Sequence, residues 1–365
     1  MKTAKMDWKH VYRNRRVLLT GHSGFKGSWL SLWLAELGAE TLGYSLNFPS
    51  DPCLFEVAQV GKTLTHVEGD VCDMPRLRKA WADFQPEIVF HLAGQPIVRE
   101  SYRNPMQTIQ TNIFGTVSVL ELAREMNRPL AMVVITSDKA YRNNEWVHAY
   151  REDDRLGGHD IYSMSKGAAD LAVHGYQQSF FAPNGKPGLV SAASARAGNV
   201  IGGGDWAAER IVPDCVRSIV KGDPILVRNP HSIRPWQHVL EPLSGYLSLG
   251  ARLLSDDPQE RLRFSDAWNF GPSVQNTRTV GQLVESMIAH WGAGSWQDMS
   301  EQDKVHEDNL LKLAIDKAFA RLHWEPRWDF ESTMRKTAEW YKAFYAGDDM
   351  LTWCKRQIAE YCDVD

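Results

Sequence analysis

What the chain has little of narrows its class first. Its five cysteines, Cys53, Cys72, Cys215, Cys354 and Cys362, are odd in number, scattered and never paired as C-x-x-C. Neither a disulfide framework nor a metal site is indicated, and a reducing compartment fits. No apolar run approaches the length needed to span a bilayer, and Met1 to Arg16 is polar and basic without the apolar segment of a secretion signal. The expected location is the cytoplasm, with no membrane partner. A basic excess is missing too: 41 Lys and Arg face 45 Asp and Glu, a formal net charge of −4, so no broad positive field invites nucleic acid. Small molecules are the expected partners. There are no internal repeats and no low-complexity tract.

What is present is a chain of 365 residues, 43% hydrophobic, long enough for one large domain or two ordinary ones. It is organised around Val17-Leu18-Leu19-Thr20-Gly21-His22-Ser23-Gly24-Phe25-Lys26-Gly27, an apolar run that breaks into three glycines spaced by three. That reads as strand, phosphate turn and helix start. Gly21 permits the tight turn, Gly24 lets a ligand approach the backbone, and Gly27 lets the helix pack on the strand. Free amides at the helix start then face a pyrophosphate. His22 and Lys26 add positive charge that suits an anionic ligand or is simply solvated. Gly21, His22, Gly24, Phe25, Lys26 and Gly27 are therefore cofactor candidates.

Further strand-helix units follow. Ser28 to Leu37 places Trp29, Leu30, Leu32, Trp33 and Leu37 at helical spacing, with Gly38 as the stop. Strands are expected at Thr41–Leu46, Leu64–Val67 and Ile88–Gly94; Asp73 is a natural cap for a helix beginning near Pro75. Asn104-Pro105 is expected to cap a helix reaching about Met126. Mid-helix Asn112 and Gly115 weaken it, which points to close packing or a buried hydrogen bond beside the site. A strand from Leu130 to Ile135 delivers Thr136-Ser137-Asp138-Lys139 to its C-terminal end, the edge where open α/β sheets bind ligands. A helix starting at Ile161 carries Tyr162 and Lys166 four apart, on one face, and Gly188 to Ala195 is a sixth strand.

The expected fold is α/β: a doubly wound parallel Rossmann sheet in residues 1–195, rejoined by the chain around 235–272, with a smaller C-terminal lobe in 196–365. In that lobe Gly198 to Trp206 is a glycine-rich loop, and Arg228, Arg234, Trp236 and His238 crowd one stretch, where His238 is read as structural. Trp268 to Pro272 is a strand ending in a turn. Helices are expected at Thr279–Trp291, Asn309–Leu322 and Glu331–Phe344.

The glycine turn, Asn112, Ser137-Asp138-Lys139 and Tyr162-x-x-x-Lys166, in this order and spacing, resemble the extended short-chain dehydrogenase/reductases acting on nucleotide sugars. The likeness runs from about Val17 to Tyr341. Gly21 to Leu30, Thr136 to Tyr141 and Ala197 to Trp206 are similar to the CDP-glucose 4,6-dehydratase family within them. The resemblance implies NAD, a homodimer, and conversion of CDP-glucose to CDP-4-keto-6-deoxyglucose for bacterial surface polysaccharides such as O-antigen. It implies cofactor contacts from Asp70, Val71, Leu92, Ala93, Gly94 and Asn112 besides the turn. Substrate contacts are expected from Gln95, Asn199, Arg210 and Arg234, the arginines offering bidentate phosphate binding.

Side-chain chemistry suits that reaction. Tyr162 is the base for the C4 hydroxyl, favoured as phenolate by the Lys166 ammonium, and Ser137 holds the same oxygen. Loss of water across C5 and C6 then needs a base and an acid, for which Lys139 and Asp138 are the candidates. Two departures leave questions open. The second strand ends in Ser45-Leu46-Asn47, with Asp51 the nearest acid, so NAD against NADP is unsettled by the strand. Lys139 stands where related dTDP-sugar dehydratases carry Glu, so it is either the C5 base, if its pKa is pulled down, or an ion-pair partner of Asp138. A 4-epimerase would share Ser137, Tyr162 and Lys166 without needing Asp138-Lys139; an NAD-binding regulator would need none of the chemistry.

Overall fold

The computed structural model describes residues 8–273, 276–300 and 311–363. Alternation along the first strand shows why its run is apolar throughout: Val17 and Leu19 join one hydrophobic cluster while Leu18 joins another on the opposite face. The same split divides Ile88 and Phe90 from Val89, and Ala131 and Val133 from Met132 and Val134. A strand buried on both faces has no polar side to show.

The strands β1 (Arg16–Thr20), β2 (Glu40–Ser45), β3 (Thr65–Glu68), β4 (Ile88–His91), β5 (Leu130–Ile135) and β6 (Val190–Arg196) pair in parallel. Past β6 come four short strands, β7 (Val200–Ile201), β8 (Ile225–Val227), β9 (Ile233–Pro235) and β10 (Gln237–His238), before β11 (Ala267–Asn269) returns to pair with β6. The seven-stranded order is β11-β6-β5-β4-β1-β2-β3. It reverses at β1 and β4, and in such sheets the ligand crevice opens above that reversal. No helix among the described residues is long and apolar enough to cross a membrane.

Several boundaries differ from the sequence reading, each for a local reason. β4 stops at His91 rather than running to Gly94, because the chain there leaves the sheet to cover the glycine turn, bringing Ala93 against Gly21. Asn104 does not cap with its side chain, which donates instead to the Glu100 carboxylate at the end of an unforeseen helix, Val98–Arg103. The helix beyond Pro105 is interrupted by a π-turn at Gln110–Phe114 and ends at Glu125. The helix expected from Asn309 starts outside the described residues; 311–315 is not helical, Leu313 bridging to Tyr150, and winding begins only at 316 and tightens into a π-turn at Ala318–Leu322.

Helices at Trp8–Tyr12, Ile211–Lys221, Leu240–Leu253, Pro258–Phe264 and Met350–Asp363 were not anticipated. In Leu240–Leu253 every residue except Arg252 is buried, so there is no amphipathic stripe to read. Its Glu241, fully enclosed, accepts from the Arg327 and Trp328 amides and the Tyr361 hydroxyl, holding two later segments against it.

Candidate active site

The crevice above the β1/β4 reversal is a continuous cleft of about 800 Å³. Its floor is the glycine turn. Gly21 has φ +73° and no space for a Cβ, which would fall 2.6 Å from the Ala93 nitrogen; a Cβ on Gly27 would fall 2.1 Å from the Gly21 carbonyl oxygen. Gly24 occupies the cap position of the helix Phe25–Glu36 without a side-chain cap, so the first-turn amides are left for a ligand. Phe25 and Lys26 also line the cleft. Burial lowers the Lys26 pKa to about 8, with Arg210 and Lys166 acting in the same direction and Asp138 against them.

His22 does not line the cleft. It is fully enclosed beneath the turn, with Nε2 2.7 Å from Nδ1 of His66 and its ring edge-on to Phe55. Only glycine at position 43 leaves it room, since a Cβ there would meet the ring at 2.3 Å. Burial pulls its pKa to about 4. The positive charge expected of it is absent at neutral pH, and its side chain supports the turn from beneath.

Asp70, Val71, Leu92, Ala93 and Gly94 do line the cleft. Asn112 lies one layer behind: its amide donates to the Gln95 carbonyl (3.1 Å) and Ser165 Oγ (2.9 Å) and accepts from the Gln95 nitrogen (2.8 Å). The π-turn is what rotates this side chain inward, a common use of such turns beside sites. Gly115, the other weak point of the helix, is there because a Cβ would strike Val71 at 2.6 Å. Asn112 thus positions the Gly94-Gln95 segment of the cleft wall.

The opposite wall carries the titratable groups. Ser137 follows β5 and caps the turn Asp138–Ala140, its hydroxyl donating to Asp138 Oδ1 at 2.9 Å. The same hydroxyl hydrogen-bonds Tyr162 and so draws the phenol's pKa down, yet burial outweighs it and holds the phenol up at about 12. Tyr162 and Lys166 share the helix Ile161–Tyr176, which starts at the Asp160 cap. Burial lowers Lys166 to about 8, and its Nζ lies 2.9 Å from where a Gly94 Cβ would stand. Asp138 is buried; its Oδ2 accepts from Asn199 Nδ2 at 3.3 Å, and Asn199 holds φ +52° to place that amide. Lys139 borders the same space.

Gln95, Asn199, Arg210 and Arg234 all line the cleft. Arg210 pairs with Asp205 at 2.7 Å, in a loop tied down by the Tyr341 hydroxyl. His238 is fully buried between Trp29 and Trp328, its pKa lowered to about 3 by burial, as a structural residue should be. Sequence reasoning missed Asp205, Glu209 and Asp214 and left Arg228 and Trp236 unassigned, although all five border the cleft. The crowding of arginine and tryptophan around 228–238 was the available signal.

Comparison with known proteins follows the same lines. Residues 18–337 match the family of GDP-mannose 4,6 dehydratase. CDP-glucose 4,6-dehydratase of Salmonella typhimurium is 47% identical over 354 residues, covering 97% of this chain and 98% of the relative. dTDP-glucose 4,6-dehydratase of Shigella flexneri is 25% identical, covering 90% and 93%. Among solved structures, dTDP-glucose 4,6-dehydratase from Bacillus anthracis in complex with NAD superposes with TM-score 0.74 at 19% identity, covering 92% of this chain and 99% of that one. UDP-glucose 4-epimerase of Thermotoga maritima with UDP-glucose gives 0.76 at 20% identity, covering 90% and 99%.

Proposed function

The chain belongs to the GDP-mannose 4,6 dehydratase family, and from that premise we propose that it is an NAD-dependent hydro-lyase converting CDP-glucose to CDP-4-keto-6-deoxyglucose and water. The observation that carries this reading is the 47% identity to a CDP-glucose 4,6-dehydratase over 97% of the chain, with Ser137, Asp138, Lys139, Tyr162 and Lys166 around one cleft.

The cleft fits NAD: the glycine cradle has no room for a Cβ, the helix start is uncapped, and Asp70 and Val71 border the same space. No arginine or lysine lies in Ser45-Leu46-Asn47 to receive a 2′-phosphate, which favours NAD over NADP. NAD, when bound, supplies the hydride acceptor and later donor and a positive charge beside Tyr162. Burial otherwise keeps the Tyr162 phenol protonated, so the residue accepts the C4 hydroxyl proton only where positive charge, including that of Lys166, stabilises its phenolate. Ser137 holds the same sugar oxygen. The C4 ketone acidifies C5–H; Lys139, as the neutral amine, takes that proton and Asp138, as the protonated acid, gives one to the departing C6 hydroxyl, with Asn199 holding the carboxyl in place. Lys139 hands its proton back to C5 as C6 receives the hydride. Arg210 and Arg234 take the diphosphate, and Gln95 a sugar hydroxyl.

We place the enzyme in the cytoplasm, supplying deoxysugar for O-antigen, with residues 1–195 as the NAD-binding part and 196–365 as the nucleotide-sugar lobe. A homodimer is supported by Met106, Phe114, Leu171 and Phe180, large apolar side chains left exposed on the helical segments 105–125 and 161–181. Incubation with CDP-, UDP-, dTDP- and GDP-glucose tests the whole reading: CDP-glucose should give a product lighter by one water with the highest kcat/KM. Higher kcat/KM on any other nucleotide, or no loss of water, refutes it.

A further inference from the structure

The cleft has a direction. Its reacting end is fixed by Ser137 and Tyr162, and Arg210 is the cation that acts electrostatically on Tyr162 from the lobe side. From Arg210 the wall continues through Glu209 into the helix Ile211–Lys221, where Asp214 sits in the first turn within electrostatic range of both Glu209 and Arg228. Arg228 directly follows β8, against which this helix packs. A nucleotide sugar with its hexose at Tyr162 and its diphosphate at Arg210 has its base beyond the phosphates, at this far end.

An acid there requires a reason. A carboxylate lining a cleft for a diphosphate opposes the ligand's charge, and here it is also partly desolvated: burial raises the Asp214 pKa, against the pull of Arg217 and Arg228. Arg217 engages one carboxylate oxygen, Oδ1. Oδ2 has no hydrogen-bond partner among the described residues, so it can accept from a ligand. Among pyrimidines, cytosine alone presents a donor at position 4, its N4 amine; uracil and thymine present an O4 acceptor, which a carboxylate repels. Such a site rewards one base and penalises the others.

We infer that Asp214 is a specificity-determining residue, its free carboxylate oxygen accepting a hydrogen bond from the exocyclic amine of a cytidine nucleotide. This rests on the proposed substrate class. The test compares kcat/KM for CDP-glucose and UDP-glucose, with competition by CDP and UDP as a binding readout, in the wild-type holoenzyme and in Asp214→Asn. Asn is isosteric and can donate to O4. The CDP:UDP ratio should fall at least tenfold, in catalysis and in competition, mostly through KM. Should the Asn variant not fold, Asp214→Ser carries the same prediction. A wild type that favours CDP-glucose and a variant that keeps the ratio, or loses both substrates equally, overturns this inference alone. A wild type that favours UDP-glucose overturns the substrate assignment and this inference with it.

Discussion

Arg196 grips both carboxylate oxygens of Asp170, Nε to Oδ2 and Nη2 to Oδ1 at 2.8 Å each, with both side chains almost sealed from solvent. Asp170 lies one turn beyond Lys166 on the helix that carries Tyr162, and it also accepts from Thr136 at the end of β5. The Arg196 guanidinium donates in addition to the Tyr141 hydroxyl, just past Lys139. One buried pair thus ties together the helix, the strand end and the segment that follows the Asp138–Ala140 turn. Removing one partner strands the other's charge, so Asp170→Asn and Arg196→Gln should each lose about 3–5 kcal/mol of stability. Denaturant unfolding checks this; a loss under about 1 kcal/mol would mean that the pair is not what joins these elements.

Tyr162→Phe keeps the ring and removes the hydroxyl proposed to accept the C4 proton. Turnover should fall by about 10²–10⁴-fold, with NAD binding, measured by fluorescence titration, largely intact. A folded variant with near-normal turnover would remove Tyr162 from the role of base.

Asp138→Asn and Lys139→Met bear on elimination more than on oxidation at C4. Reduced nicotinamide should accumulate in rapid mixing with CDP-glucose, and solvent deuterium exchange at C5 should fall most in Lys139→Met. Equal loss of hydride transfer and elimination in both variants would contradict the roles assigned to the pair.

Gly198→Ala tests the same carboxylate without touching it. The added Cβ would fall 1.8 Å from Asp138 Oδ2, so Asp138 must turn away from Asn199. Elimination should slow as in Asp138→Asn while the affinity for NAD stays close to wild type. Wild-type rates would mean that Asp138 is not held where the chemistry needs it.

Three buried histidines set the acid limit of stability. Burial lowers His22 to about 4 and His91 and His238 to about 3. Folded values below the unfolded 6.5 mean that the unfolded chain binds more protons between about pH 3 and 6.5, so stability rises with pH there and is lost on acidification. Glu241 works in the other sense, since burial raises it to about 7 and its contribution shrinks as pH climbs from 4.5. Replacing His238 with Asn should flatten the rise by up to about 1.4 kcal/mol per pH unit. Unfolding midpoints at pH 4.5, 5.5 and 6.5, as chosen steps across that window, decide it; an unchanged slope would mean that His238 is not buried as neutral imidazole.

What the sequence made legible was short-range. The glycine turn, Asp73 as a cap and the Tyr162/Lys166 face follow from neighbours a few residues apart, and the structure has each. What it hid depends on distant partners. His22 looks like a loop cation until Gly43 and His66 on the adjoining strands enclose it. Asn112 reads as a weak point of its helix, and only the folded chain shows it hydrogen-bonded to Gln95 within a π-turn. Asp214 carries no signal in the sequence, because its helix went unread, and only the fold brings it to the same wall as Arg228.

The seventh strand sets an order of events during synthesis. β6 lies between β5 and β11, and β11 is encoded about seventy residues after β6 ends. At ribosomal rates of roughly 5–20 residues per second, the six earlier strands wait several seconds with the outer edge of β6 open. An open edge is a template for pairing with another chain. The nascent protein is therefore most exposed to aggregation when the first six strands of its sheet are already made, and holdase chaperones should engage it in that interval rather than earlier.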